Sequence, residues 1–342
     1  MVAIDKKESD FLNSVKFICI LTIVMVHCSL HDSQYVAPRL IQETIPLVRS
    51  WHISLHFGEN ALGLFFIISG YLFFRSANIE SFNWKVDYLN KLKSRVKSLL
   101  VIYVVWNTVG LITGYFINKT FPSDILSFLN GYNPFQEGKY FGRGLWFIES
   151  LIVFSVISPI YYFSIRCLKH LVPLLCLIFC LTSIKYNYLY FNVYLLMGGY
   201  FACMGIKITD VAKLFNWKIC LLLIFFIQIF SRSCMIEVNI AQSFTLFLFL
   251  AVFMGLLYNR PIPARIAGSS TFVYLAHFYC TLSLKKVLLI ILPHGMFGYV
   301  SNMLLNCVIS ASICVLLYVF LISRFNILNF FFAGGRSVRK TT

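Results

Sequence analysis

Apolar residues run along this chain in long blocks separated by short polar connections, near 12–30, 57–75, 98–117, 144–165, 171–184, 188–205, 218–231, 239–257, 269–284 and 299–322. A helix that is apolar on all sides belongs in an apolar medium, and about 20 such residues cross the hydrocarbon core of a bilayer. The pattern predicts an all-α fold: a polytopic membrane helix bundle of about ten transmembrane helices, forming a single integral membrane domain over residues 1–342. The fifth, seventh and ninth blocks are short for a full crossing, which tilt or a broken helix would accommodate. Composition agrees, with 59% hydrophobic residues, 12% charged and a mean hydropathy of +0.79. No separate soluble domain fits in the remaining length.

Charge then orients the bundle. The formal net charge is +16, from 29 Lys and Arg against 13 Asp and Glu. In a soluble protein that excess would raise the question of nucleic acid, but here the basic residues sit in short loops, and no nucleic-acid partner is expected. With the N-terminus inside, 19 Lys and Arg fall on the inner side and nine on the outer, which places both termini in the cytoplasm by the positive-inside rule. The stretch MVAIDKKESD runs into the first block without a small-residue cleavage site, so an uncleaved first helix is expected. The densest basic stretch, KVDYLNKLKSRVKSL, holds Lys85, Lys91, Lys93, Arg95 and Lys97 in the second connection. A topology determinant is the simplest account of it. The longest outer connection, roughly 118–143, is rich in Gly, Asn, Pro and aromatic residues, as a loop over an entrance would be. The 11 cysteines lie scattered in apolar segments without paired metal-ligand spacing and read as small buried hydrophobes.

The chemistry is carried by the few ionisable residues inside the apolar blocks. Lys16 and His27 stand eleven residues apart in the first, so an α-helix brings them to within about 20° of one face and roughly 16 Å apart along its axis. Intramembrane ionisable residues turn toward polar cavities and mark function. The competing account has Lys16 snorkelling to the interface and His27 bonded within the bundle. Glu59 and Asn60 open the second block, Glu149 lies about one and a half turns into the fourth, and His277 lies mid-block in the ninth. On the expected topology most of these are in the outer half, above a cationic inner vestibule. The i,i+4 pairs His27/His31 and His52/His56 could hold a metal, but no HExxH accompanies them and no metal site is expected.

These residues resemble a known family. KFICILTIVMVH (Lys16 to His27) is similar to the first-helix signature of the membrane acyltransferase-3 family, in which an arginine precedes the catalytic histidine by eleven positions. Here lysine takes the basic position, and Asn13 stands where an aspartate is common. LFFIISGYL (Leu64 to Leu72) resembles the FF-x-x-SG-[FY]-L second helix, and KSRVKSLLVIY (Lys93 to Tyr103) the basic loop entering the third. In that loop Ser98 stands where the second arginine of Arg-x-x-Arg is frequent. LWFIESL (Leu145 to Leu151), YLLMGGYFA (Tyr194 to Ala202) and SSTFVYLAHFY (Ser269 to Tyr279) resemble the later LWFL, F-x-x-G and YL-x-H stretches.

The resemblance implies an O-acetyltransferase of the bacterial inner membrane. It would move an acetyl group from cytoplasmic acetyl-CoA, a substrate and not a resident cofactor, to a hydroxyl of a surface polysaccharide or lipid-linked glycan. His27 is then the expected general base and Glu149 its orienting carboxylate. Lys16, Lys93, Arg95 and Lys97 are expected to hold the donor's phosphates, and Ser69, Trp146 and His277 are placed with the substrate-binding residues. An acyl-enzyme on His27 or Cys28 is an alternative route. The rival class is a carrier or flippase for a glycolipid or another anionic solute, with Lys16, His27 and Glu149 as binding or proton-relay groups. The topology is testable on its own: cysteine labelling of the 324–342 tail should succeed only from the cytoplasmic side of intact cells, and labelling from outside would overturn the depth assignments.

Overall fold

A computed structural model describes residues 5–28, 53–75, 83–118, 142–181, 188–233, 238–292 and 296–335. Among these residues the secondary structure is helical throughout, without strands. We number the helices α1 (Lys6–Cys28), α2 (Ile53–Phe74), α3 (Asn90–Asn118), α4 (Gly142–Leu168), α5 (Leu171–Leu181), α6 (Tyr188–Cys203) and α7 (Ile208–Lys213). They continue with α8 (Trp217–Ser233), α9 (Val238–Leu257), α10 (Ala264–Ala267), α11 (Ser270–Ile291), α12 (Met296–Phe320) and α13 (Asn326–Ala333). A π-helical segment, Trp84–Leu89, leads into α3. Each of the ten expected blocks coincides with a helix, and five helices among the described residues are long and apolar enough to cross a membrane: α1, α3 with its π-helical lead, α4, α11 and α12. The chain is thus an all-α integral membrane protein. The ninth block is longer than expected, because α11 runs to Ile291 and takes Lys285 and Lys286 out of the outer connection and into the helix.

The described residues fall into two compact units, one formed by 1–82 with 161–315 and the other by 83–160 with 316–342. In the first, α2 packs most extensively on α6, and α1 packs on α2 and α11. The α2–α6 crossing is a backbone contact. A Cβ at Gly70 would fall onto the carbonyl oxygen of Leu195, and one at Gly198 onto that of Ile67. Small residues permit such approach where no hydrophobic effect drives helices together and van der Waals contact supplies the attraction. The SGYL and MGGYF stretches are therefore two sides of one joint.

That joint reaches α1 through the residue after Gly70. The Tyr71 ring is fully buried, and its hydroxyl donates to Glu8 Oε1 at 3.2 Å. The Glu8 backbone N–H in turn donates to Asp5 Oδ1 at 2.7 Å, which satisfies one of the open donors at the helix start. Lys7 donates to Asn259 Oδ1 at 2.9 Å and lies 4.2 Å from the Tyr258 ring centre. Ser14 Oγ accepts the Ile262 N–H at 2.9 Å. With these ties α1 is the most enclosed of the five long helices, 61% of its apolar stretch being buried.

In the second unit Pro159 sits inside α4. Proline cannot donate to the carbonyl four residues back, that of Ser155. Ser158 Oγ donates to that carbonyl at 3.0 Å instead, the kind of local repair that lets proline persist in a membrane helix. Elsewhere in this unit α13 packs on α3, with Trp106 Nε1 donating to the Phe332 carbonyl at 3.2 Å.

Replacing Gly70 or Gly198 by alanine should destabilise the protein by about 1–3 kcal/mol or more, since the atom struck is backbone and cannot rotate away. Gly205, whose φ is +74° and whose Cβ would meet nothing within 4 Å, should cost only about 1 kcal/mol as alanine, from its left-handed conformation. Thermal unfolding in detergent separates the two cases.

Candidate functional site

The first unit assembles its chemistry along α1. Lys16 is buried, at 7% exposure, and His27 presents its ring at the other end of the same face. The His27 ring lies against two residues of α11: its centroid is 5.3 Å from that of His277, with planes inclined at 39°, and 6.2 Å from Phe278 in an edge-on contact. His277 is buried, at 4% exposure. Its Nδ1 is 2.6 Å from the carbonyl oxygen of Tyr274 and 3.2 Å from that of Val273. Carbonyls only accept, so Nδ1 carries the proton, and in the neutral ring Nε2 is left with its lone pair. Among the described residues, that buried Nε2 has no hydrogen-bond partner.

The place of the pair along its helices is set by α11 and α12. His277 is the eighth residue of α11's 22. Cys28 lies against the thiol of Cys307, the twelfth residue of α12's 25, and Cys307 Sγ is 3.9 Å from the Leu21 carbonyl oxygen of α1. The imidazoles are thus near mid-length of the α11–α12 hairpin. The end of α1, read alone, gave no sign of this, since it follows from the packing of α1 on α11.

Beyond the pair, a polar ladder joins α11 to α12. Asn306 Nδ2 donates to the Thr281 carbonyl at 3.0 Å and Ser310 Oγ to Asn306 Oδ1 at 2.9 Å. Asn302 Nδ2 is 3.4 Å from the Lys285 carbonyl oxygen. Lys285 is buried, at 5% exposure. Sequence reasoning missed this group. Its signal is periodic: His277, Thr281 and Lys285 recur every four residues on one helix, and Asn302, Asn306 and Ser310 do so on the next.

Other expected site residues have local partners. Ser69 Oγ donates to the Phe65 carbonyl at 2.8 Å, and Asn60 Nδ2 to Thr245 Oγ1 at 2.9 Å. In the second unit the expected basic loop is helical. Lys93, Arg95 and Lys97 stand in the first turns of α3, where the 3.6-residue period puts Lys93 and Lys97 on one exposed face and the half-buried Arg95 on another. Lys97 is 6.0 Å from the Phe330 ring centre of α13. On α4, the half-buried Glu149 accepts the Tyr103 hydroxyl at 2.7 Å through Oε1, and Trp146, also half-buried, packs edge-on against Phe147. Tyr103, the last residue of the basic-loop resemblance, is a partner the sequence did not assign to Glu149. The Glu59 and His56 side chains, His31, His52, the outer connection and the end of the tail lie outside the described residues. Among the described residues no three His, Cys, Asp or Glu side chains converge on a common point.

Tyr103→Phe would leave the Glu149 carboxyl without this donor and should cost about 0.5–1.5 kcal/mol in thermal unfolding. Glu149→Gln, whose amide oxygen still accepts from Tyr103, should cost less.

In comparisons with known proteins, the model of a family described as an acyltransferase domain matches residues 9–322, nearly the whole chain. No curated protein and no solved structure matches.

Proposed function

We propose a reaction from one premise: the chain belongs to the acyltransferase-3 family. The protein is an O-acetyltransferase of the bacterial inner membrane, taking acetyl groups from cytoplasmic acetyl-CoA to a hydroxyl of an extracytoplasmic polysaccharide or lipid-linked glycan. Both termini are cytoplasmic in this reading.

The observation that carries it is the alignment on α1. Lys16 is a buried cation, and His27 lies roughly 16 Å farther along the same face. That is about half the 30 Å thickness of a bilayer core. A donor whose phosphates are held at the inner end therefore needs a long, narrow arm to bring its thioester to the imidazole, and pantetheine is such an arm. Lys16 supplies a charge-assisted contact to phosphate. Lys93, Arg95 and Lys97, cations of α3, are assigned to phosphate binding by the family resemblance.

At the reacting end, neutral His27 removes the proton of the sugar hydroxyl as its oxygen attacks the thioester carbonyl. The tetrahedral intermediate expels the CoA thiolate, which recovers the proton from the imidazolium. The acetyl ester forms as the C–S bond breaks, with no net change in protons. Ser69 and Trp146 are assigned to substrate binding. Glu149, bonded to Tyr103, acts as a supporting carboxylate. Family membership favours this transfer over a carrier, whose groups would bind solute without chemistry.

The defects of Lys16 and His27 should differ in kind. His27→Ala should still bind acetyl-CoA while transfer falls about a hundredfold or more. Lys16→Ala should weaken donor binding by about tenfold or more and recover at high acetyl-CoA, with Lys16→Arg retaining most affinity. Labelled acetyl-CoA binding and glycan acetylation, measured on folded variants at equal abundance, check both. Normal acetylation by His27→Ala would remove His27 as the base.

A further inference from the structure

We infer that His277 is the positioning residue for His27: its Nε2 accepts the N–H of the His27 ring and so fixes which His27 nitrogen faces the acceptor hydroxyl. The inference rests on the reading of His27 as general base and deepens it, because it replaces the carboxylate expected in the orienting role with a neutral imidazole.

Three observations carry it. The first is the tautomer. Two backbone carbonyls face Nδ1 of His277, so the proton is held there and the lone pair of Nε2 is available. The second is the unmet need of that lone pair: Nε2 is buried and unpartnered among the described residues, although buried polar atoms almost always find partners. The third is spacing. An in-line N–H···N bond of about 3 Å, with each nitrogen about 1.1 Å from its ring centre, puts the centroids about 5 Å apart, and the observed separation is 5.3 Å. The rings are already at bonding separation. Turning the exposed His27 ring about its own side-chain torsions would complete the bond, while His277 is held by its carbonyls and its burial.

The chemistry follows from the charge that develops. When His27 takes the hydroxyl proton it becomes an imidazolium with two N–H groups. One lies on the side of the reacting oxygen and later returns its proton to the departing thiolate. The other needs an acceptor, and the buried ring of His277 lies beside it. A carboxylate there would be a second buried charge to desolvate before the reaction. The neutral Nε2 of His277 accepts the same N–H with no charge of its own, and no proton passes to it.

The test separates this role from simple packing. His277→Phe keeps the flat ring and removes the acceptor. It should lower kcat by about tenfold to a hundredfold while leaving KM for acetyl-CoA and acetyl-CoA binding unchanged. His277→Gln restores an acceptor oxygen and should recover part of the lost kcat. Imidazole added to His277→Ala should do the same. On the parent protein, which carries no folding risk, side-chain 15N NMR of labelled histidine should show His277 protonated at Nδ1 and bare at Nε2. Parent-like kcat in His277→Phe, equal losses in all three variants without imidazole rescue, or an Nε2-protonated His277 would each overturn the inference. The two readings fail separately: an inactive His27→Ala beside a fully active His277→Phe removes the positioning role alone, whereas an active His27→Ala removes the base itself.

Discussion

In the first unit two stretches of backbone meet directly, and the placement of its candidate site depends on that contact. Gly70 and Gly198 bring α2 and α6 together with no side chain between them. Because a Cβ at either glycine would fall on a carbonyl oxygen of the other helix, the crossing holds α2 against α6 at this level. Tyr71, the next residue, then reaches Glu8, and the start of α1 is located from there. Lys16 and His27 inherit that position through about two and about five turns of helix. The glycines thus act on the chemistry at a distance, by setting the height of the helix that carries it.

A second constraint is that polar atoms in an apolar medium must find partners within the protein. Most hydroxyls do so cheaply, by donating to a carbonyl of their own helix, as Ser69, Ser150 and Ser155 do. Ser158 covers the carbonyl that Pro159 exposes. Against that background the exceptions carry information. Nε2 of His277 is unpartnered, and so is Oδ1 of the fully buried Asn302, which sits on the ladder above it. Both atoms are acceptors.

The second unit obeys the same rule by different means. Glu149 is kept half-buried on an apolar helix by the Tyr103 hydroxyl, and the cations of α3 occupy the turns where Lys93 and Lys97 reach solvent and Arg95 is partly covered. Helical periodicity, not proximity in sequence, decides which of them can act together. Lys93 and Lys97 share a face that Arg95 does not.

The sequence by itself determined the class, the helices and the family. Long apolar blocks leave the backbone no option but to satisfy its own hydrogen bonds as helices, and a spacing of eleven residues puts Lys16 and His27 on one face whatever surrounds them. Those are local properties. Tertiary structure decided the company of each residue, because it depends on which helices pack together. Nothing in α1 alone says that His27 meets His277, since the two are 250 residues apart and their meeting follows from the packing of α1 on α11. Lys285 looked like a loop residue because its charge interrupts the apolar run, yet α11 carries it onward as a buried side chain. The tautomer of His277 was beyond sequence reasoning for a simpler reason. A ring nitrogen is assigned by the atoms that face it, and those atoms are brought there by the fold.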